Sequence, residues 1–587
     1  MDEDKNTEEK ITEPETTKDS PDAPANPDKP AETDPKWQRF KAWYSDRKKW
    51  TIPLSVLLVI LILAAVPFTR YGLAGTVRKN NIELKVTDAT ANTPVSGATV
   101  SIGNLSGETD SSGMVTLHGV NAGHHNATIS KKYYQPRTIN VLAPIFSQKT
   151  VPEFQLTATG RQVKIEVTNL IDKTALANVD IKVAGTTAKT DKTGSAVVVL
   201  PVGEATQTAT LSLPGYNDAK VTVKVSNDKI QDNPFGLTPA GKVYFLSNLS
   251  GKIDVVKTNL DGTDRQTVLA GTGSEDDRNT VLLSSRDWKY LALLSRRAGN
   301  SPTLYLINTS DDSLTTVDSS SADFNLTGWV NGSFVYTLTK NNAPPWQPGG
   351  QVLKSYNPAT KSLTTLDQTS ASGTNDFDYV SQQINNVYGY DGKVFYTKSW
   401  NTGGASDLTN KQATFDSVNT DGSGKAAIKS FSLVPNSSAG AVDLSTQLVT
   451  PDKFEIYFYD GAKDNFYTYS NGQVTSDKSE TSENFYNGNY ATYLLSPSGS
   501  QTFWSETRDG KNTLFTGDQN GQNSKQIATL SDYSPYGWYT DNYLLVSKNG
   551  SELYAMAKDG SQTPVKISDY HKPAAIFYGY GGGYGGL

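Results

Sequence analysis

Four histidines are the first residues to weigh, because imidazole serves both metal binding and proton transfer. His118, His124 and His125 lie close in sequence, and His571 stands alone near the C-terminus. Three histidines around a turn, with no alternate strand spacing and no carboxylate partner in the pattern, read as ordinary turn and strand histidines. The acidic cluster Glu275-Asp276-Asp277 lacks the alternating oxygen-ligand spacing of a calcium loop and reads as a solvated loop. Ser226-Asn227-Asp228-Lys229 matches Ser-x-x-Lys, a pattern that chance supplies in a chain this rich in Ser and Lys. The nucleophile elbow Gly-x-Ser-x-Gly is absent. Sequons at Asn104, Asn126 and Asn325 carry meaning only in a eukaryotic secretory pathway. No catalytic residue, metal site or cofactor emerges, and the chain is expected not to be an enzyme.

Aromatic side chains offer a second kind of chemistry. Trp329, Trp346, Trp400, Trp504 and Trp538 invite a carbohydrate-binding reading. Most such rings are expected to fill space between packed sheets. Trp346, in the loop Asn342-Ala343-Pro344-Pro345-Trp346, and Trp400, beside a Gly/Asn/Ser-rich insertion from Asn401 to Asn410, are the candidates for ligand contact.

The elements that position these residues begin with an anchor. Residues 1–36 are acidic, rich in Pro and Thr and free of aromatics, so they are expected to form a disordered tail. Residues 37–50 form a basic, aromatic juxtamembrane segment, and residues 51–71 are expected to form a transmembrane helix, since Thr51–Phe68 carries no charge. A buried core helix and a cleaved signal peptide are the rival readings. Lys and Arg are denser before the run than after it, which places the N-terminus in the cytoplasm and the rest outside. A formal net charge of -6, with 19 % charged residues, leaves no basic field for nucleic acid. The absence of Cys is neutral between compartments.

Two stretches beyond the anchor repeat. Val86-Thr87, Val100, Asp110 and Gly113 map onto Val167-Thr168, Ile181, Asp191 and Gly194, each at an offset of 81. Both stretches alternate apolar and polar residues, and each carries Thr-Asp-x-x-Gly, in which Asp bonds its own backbone and Gly supplies positive φ. Leu200-Pro201-Val202-Gly203 and Pro214-Gly215-Tyr216 follow in the second copy. This pattern resembles the carboxypeptidase regulatory-like (transthyretin-like) β-sandwich, which implies two sandwiches, at 78–157 and 158–228, acting as spacers or binding modules. An immunoglobulin-like sandwich is the alternative, without the Cys…Trp…Cys mark of antibody domains.

From about residue 236 to 578 a different repeat takes over. Turn dipeptides recur at Asp261-Gly262, Asp311-Asp312, Pro358-Ala359, Asp421-Gly422, Asn471-Gly472, Asn520-Gly521 and Asp559-Gly560, at separations of 50, 47, 63, 50, 49 and 39 residues. That period suits four-stranded propeller blades, and Asx-Gly between apolar strands signals hairpins. Ser496-Pro497-Ser498-Gly499 with Phe503-Trp504, the degenerate Ser285-Arg286-Asp287-Trp288-Lys289, and Leu553-Tyr554 with Asp559-Gly560 resemble TolB-type propeller repeats. The resemblance implies a β-propeller, counted here at seven blades with six or eight as alternatives. Ile576–Tyr578 is expected to complete the first blade, and residues 579–587 form a Gly/Tyr-rich tail.

The fold expected is all-β: two tandem β-sandwiches and a β-propeller behind one N-terminal transmembrane helix. The function expected is a single-pass membrane protein whose propeller binds an extracytoplasmic protein or glycan, with no nucleic-acid partner. A propeller enzyme acting on envelope polysaccharide and a structural spacer or sensor are the rivals. The pairing of resemblances points to a bacterial source.

Overall fold

The computed structural model describes residues 35–46, 48–66, 78–145, 150–226, 229–404, 407–435, 441–488, 490–508, 510–529 and 532–572. Residues 1–34 of the expected tail 1–36, residues 67–71 of the expected span, the closing strand Ile576–Tyr578 and the tail 579–587 all lie outside them, while Pro35 and Lys36 open a helix rather than continue a disordered tail. Two compact units emerge: residues 1–82, 118–125 and 140–149, and residues 83–117, 126–139 and 150–587.

In the first unit, α1 (Pro35–Asp46) carries Trp37, Phe40, Trp43 and Tyr44, with Phe40 stacked near the other three rings. Helix α2 (Lys48–Ala65) leaves Leu54 and Val56 through Leu63 exposed. Its 18 residues rise about 27 Å at 1.5 Å each, short of a bilayer core of about 30 Å, and it opens on two lysines. Among the described residues no helix is long and apolar enough to cross a membrane, so the expected transmembrane helix is not among the elements found.

Two successive stretches of the chain share one strand plan. In the first, β1 (Lys79–Asp88), β2 (Thr99–Ile102), β3 (Leu105–Glu108), β4 (Met114–Asn121), β5 (Gly123–Ser130), β6 (Arg137–Ala143) and β7 (Glu153–Leu156) form sheets ordered β4-β1-β7 and β3-β2-β5-β6. In the next, β8 (Arg161–Asn169), β9 (Asp180–Val183), β10 (Thr186–Lys189), β11 (Ser195–Leu200), β12 (Thr206–Ser212), β13 (Ala219–Lys224) and β14 (Gln231–Leu237) form β11-β8-β14 and β10-β9-β12-β13. Alternation explains the shared core. Val163, Ile165 and Val167 of β8 face Ile181 and Val183 of β9 and Ala209 and Leu211 of β12 in one apolar cluster. The duplication reaches single hydrogen bonds: Thr109 Oγ1 accepts from Ala98 N and donates to Val95 O, and Thr190 Oγ1 does the same with Val179 N and Leu176 O.

Seven consecutive antiparallel sheets then form a propeller: Val243–Leu269, Val281–Asp318, Asp323–Gln368, Ala371–Val442, Leu444–Asp477, Leu494–Thr529 and Tyr533–Asp569. Blade 1 has three strands and blade 4 is enlarged to six. Middle strands such as Asp254–Thr258 and Tyr290–Ser295 are largely buried on both faces, because each blade lies between two others. Six blades shift register between their last two strands, at Val255/Val256, Leu304/Tyr305, Leu353/Lys354, Phe415/Asp416, Leu514/Phe515 and Leu553/Tyr554. A bulge there strengthens the twist each blade needs to pack on the next. His571 N donates to Leu246 O at 2.7 Å, so the chain leaving blade 7 reaches the first strand of blade 1.

Candidate functional site in the propeller channel

Strands and turns of blades 2 to 7 together enclose one cavity of about 520 Å³. That is a ligand-sized space by the usual range of roughly 300–1,000 Å³. Its wall contains two kinds of side chain.

One kind is already committed. Trp288 Nε1 donates to Trp538 O at 2.9 Å, Trp329 Nε1 to Leu283 O at 3.1 Å, and Trp538 Nε1 to Leu494 O at 2.8 Å. Tyr388 Oη donates to Thr446 O at 2.9 Å, and burial pushes this phenol well above its ordinary range. Each of these bonds joins two blades and consumes a backbone carbonyl of a first strand. The rings are packing elements that happen to line the cavity.

The other kind is uncommitted. Arg286 of blade 2, Asn331 of blade 3, Asp391 of blade 4, Gln447 of blade 5 and Gln519 and Asn520 of blade 6 line the same cavity. None of these six side chains makes a hydrogen bond or ion pair with another described residue. Arg286 reaches water inside the channel, yet the surrounding protein holds its pKa below the ordinary range. Its neighbour Asp287 is engaged instead by Lys289 at 2.7 Å and by Ser285 Oγ at 2.8 Å. A Cβ placed on Gly499 of blade 6 would lie 3.3 Å from Arg286 Nη1, so the arginine points across the channel mouth. Tyr490 and Tyr493 add two phenols that burial shifts upward.

The residues singled out from sequence sit elsewhere. Trp346 occupies a half-buried turn of blade 3, where Gln347 N donates to Pro344 O at 2.9 Å. Trp400 lies in the strand Lys393–Gly404, donates Nε1 to Gln412 O at 2.9 Å, and carries Lys411 Nζ 4.6 Å from its ring centroid. Neither lines the cavity. Trp504 is buried and donates to Glu506 at 2.8 Å. His124 pairs with Asn140 at 2.7 Å, His125 with Asn121 O at 2.6 Å, and His571 with Asp277 at 2.7 Å. Glu275 folds back to accept from Thr272 N and Gly273 N, both at 2.8 Å. Among the described residues no three potential metal ligands converge.

From sequence, Arg286 enters only within the degenerate blade motif, and Asp391 is not singled out. A usable signal existed, since Arg286 replaces the Pro of the blade motif immediately after a first strand.

No family model matches the chain, and no curated protein matches it. Solved structures of similar fold include the β-propeller domain of the Trilobed protease from Pyrococcus furiosus, at 10% identity over 63% of this chain and 96% of that one, with a TM-score of 0.28. TolB from Acinetobacter baumannii is similar at 13% identity over 58% and 80% of the two chains, with a TM-score of 0.25. Oligogalacturonate lyase from Vibrio parahaemolyticus is similar at 11% identity over 55% and 85%, with a TM-score of 0.28. At such identities and TM-scores these likenesses carry nothing of activity or ligand to this chain. The lyase corrects one expectation: a propeller is a fold that enzymes also use, so the exclusion of catalysis does not stand.

Proposed function

We propose that this chain is a membrane-anchored extracytoplasmic binding protein whose propeller channel is the recognition site. The observation that supports the reading is the convergence of Arg286, Asn331, Asp391, Gln447, Gln519 and Asn520, from five blades, on one cavity with no partners of their own. Polar groups held near a rigid wall without partners are sites where a ligand replaces water, and a propeller supplies the rigidity. In this reading the two N-terminal repeats are transthyretin-like sandwiches that form a stalk. The anchor is α2 with the apolar residues after it, since its aliphatic side chains are exposed on every face. The N-terminus then lies in the cytoplasm, and the partner is an extracytoplasmic protein or glycan.

The full chain in detergent, screened against glycan arrays and envelope extracts beside a Gln519→Trp variant, tests the channel. Capture by the wild type and loss in the variant support it, and equal capture by both overturns it. Chemical change in a captured glycan, read in the same assay, decides whether the channel also performs catalysis. Deletion of residues 51–71 should release the protein from membranes at alkaline pH, and retention would overturn the anchor.

A further inference from the structure

We infer that the channel takes an oligosaccharide bearing a carboxylate, with Arg286 holding the acid; the inference rests on the channel being the recognition site.

Charge selects the anion. Arg286 is the one cation lining the cavity among the described residues, and it has neither a carboxylate nor a carbonyl to bond. A guanidinium partly removed from water gains most from a planar two-oxygen acceptor, which a carboxylate supplies bidentately. Arg286 is open to solvent and bonded to no other described residue, so its guanidinium is available to a carboxylate entering the cavity. Burial lowers the arginine's pKa, with the adjacent Asp287 opposing the shift.

The remaining wall selects a sugar over a peptide. Asn331, Gln447, Gln519 and Asn520 each offer a donor and an acceptor on one amide, which suits hydroxyls that both give and take hydrogen bonds. Asp391, opposite in sign, accepts from hydroxyls and repels a second acid on the same ligand. A peptide strand would need free main-chain groups along the first strands of the blades. The carbonyls of Leu283, Leu494, Trp538 and Thr446 are already taken by indoles and by Tyr388. Edge pairing is thereby blocked at four points around the channel, while side-chain hydrogen bonding stays open.

The experiment is calorimetric titration of the full chain in detergent with oligo-uronates, sialylated oligosaccharides and their carboxyl-reduced counterparts. Wild type, Arg286→Gln, Arg286→Lys and Gln519→Trp are compared, with circular dichroism confirming that each is folded. The expected result is binding of an acidic member, at least tenfold weaker binding of its reduced form, a similar loss in Arg286→Gln, partial recovery in Arg286→Lys and no binding to Gln519→Trp. Equal binding of acidic and reduced forms, or of wild type and Arg286→Gln, with Gln519→Trp still blocking, overturns the acid inference and leaves the channel reading standing. Arg286-dependent binding of peptides ending in a free carboxylate, without any glycan, overturns the sugar assignment alone. Binding indifferent to Gln519→Trp, or none at all, overturns the channel reading and this inference with it.

Discussion

The side-chain amide of Asn169 donates to the hydroxyl of Tyr543 at 2.6 Å, across 374 residues of chain. Asn169 ends β8, and Tyr543 opens the second strand of blade 7. The same amide reaches Asp172 at 3.0 Å, while Ile171 N donates to Asn169 Oδ1 at 2.9 Å. This small turn presents Ile171, fully buried, to a cluster formed by Val243 and Phe245 of blade 1 and Leu545 and Leu553 of blade 7. The second repeat therefore plugs the seam between the first and last blades. It is part of the propeller's packing as well as its neighbour in sequence.

Ile171→Ala should destabilise the propeller by about 2–4 kcal/mol, the usual cost of emptying a buried aliphatic site. Denaturant unfolding measured on the full chain, with limited proteolysis of the seam as a second readout, checks this. Loss of stability below about 0.5 kcal/mol would mean that the seam does not depend on the plug.

Gly113 and Gly194 sit at φ +75° and +76°, and a Cβ on either would lie 2.4 or 2.5 Å from the carbonyl oxygen of Val86 or Val167. Positive φ and a backbone collision act together, so Ala at either site should cost at least about 1 kcal/mol. The two penalties should be similar, because the two turns are built alike. Unequal thermal shifts in the single variants would show that the repeats respond differently despite equal geometry.

Asp367 joins blade 3 to blade 4, accepting from Tyr396 Oη at 2.7 Å and Lys398 Nζ at 3.2 Å and pairing with Lys425. Burial alone would raise its pKa; Lys425, Tyr396 and Lys398 together hold it below the usual carboxylate range. Its contribution is thus present above the unfolded value of about 4 and fades as the pH falls below it. Asp367→Asn should cost about 3 kcal/mol at pH 7, since two lysines and a buried phenol lose their acceptor charge. The gap in thermal midpoint between variant and wild type should narrow toward pH 3, and a constant gap would count against the latch.

Lys131 Nζ donates to Thr187 O at 2.7 Å and to Ser96 O, bridging the two repeats. Burial lowers its pKa from 10.5 to about 8, with Glu108 opposing the shift. Between about pH 8 and 10.5 the unfolded chain binds a proton that the folded chain has released. Stability must therefore rise with pH through that window, and be lower by a constant amount beneath it. The thermal midpoint of wild type minus that of Lys131→Met should climb from pH 8 to 10.5 and stay flat from 6 to 8. A flat difference throughout would mean that the ammonium is not buried as a charge.

Much of this was legible in the chain alone because it is local. Thr-Asp-x-x-Gly at an offset of 81 predicts two equal turns, as short side chains bond to backbone only two to four residues away. The spacing of Asx-Gly turns predicts sheets of one hairpin-rich kind, since strand alternation and turn chemistry act within ten residues. The apolar run from Thr51 was legible as apolar, while the helix formed there, Lys48–Ala65, carries two lysines inside its own bounds. What only the tertiary structure decided is which polar residues face one another. Asn331, Asp391 and Gln519 are scattered over nearly two hundred positions and line one cavity only when six blades come together. The same holds for the tryptophans. Their type suggested ligand contact, but whether an indole N–H is free or spent on a carbonyl depends on the neighbouring blade. Ile171 went unremarked for this reason too, as nothing within its own repeat shows that its pocket is built from residues between 243 and 570.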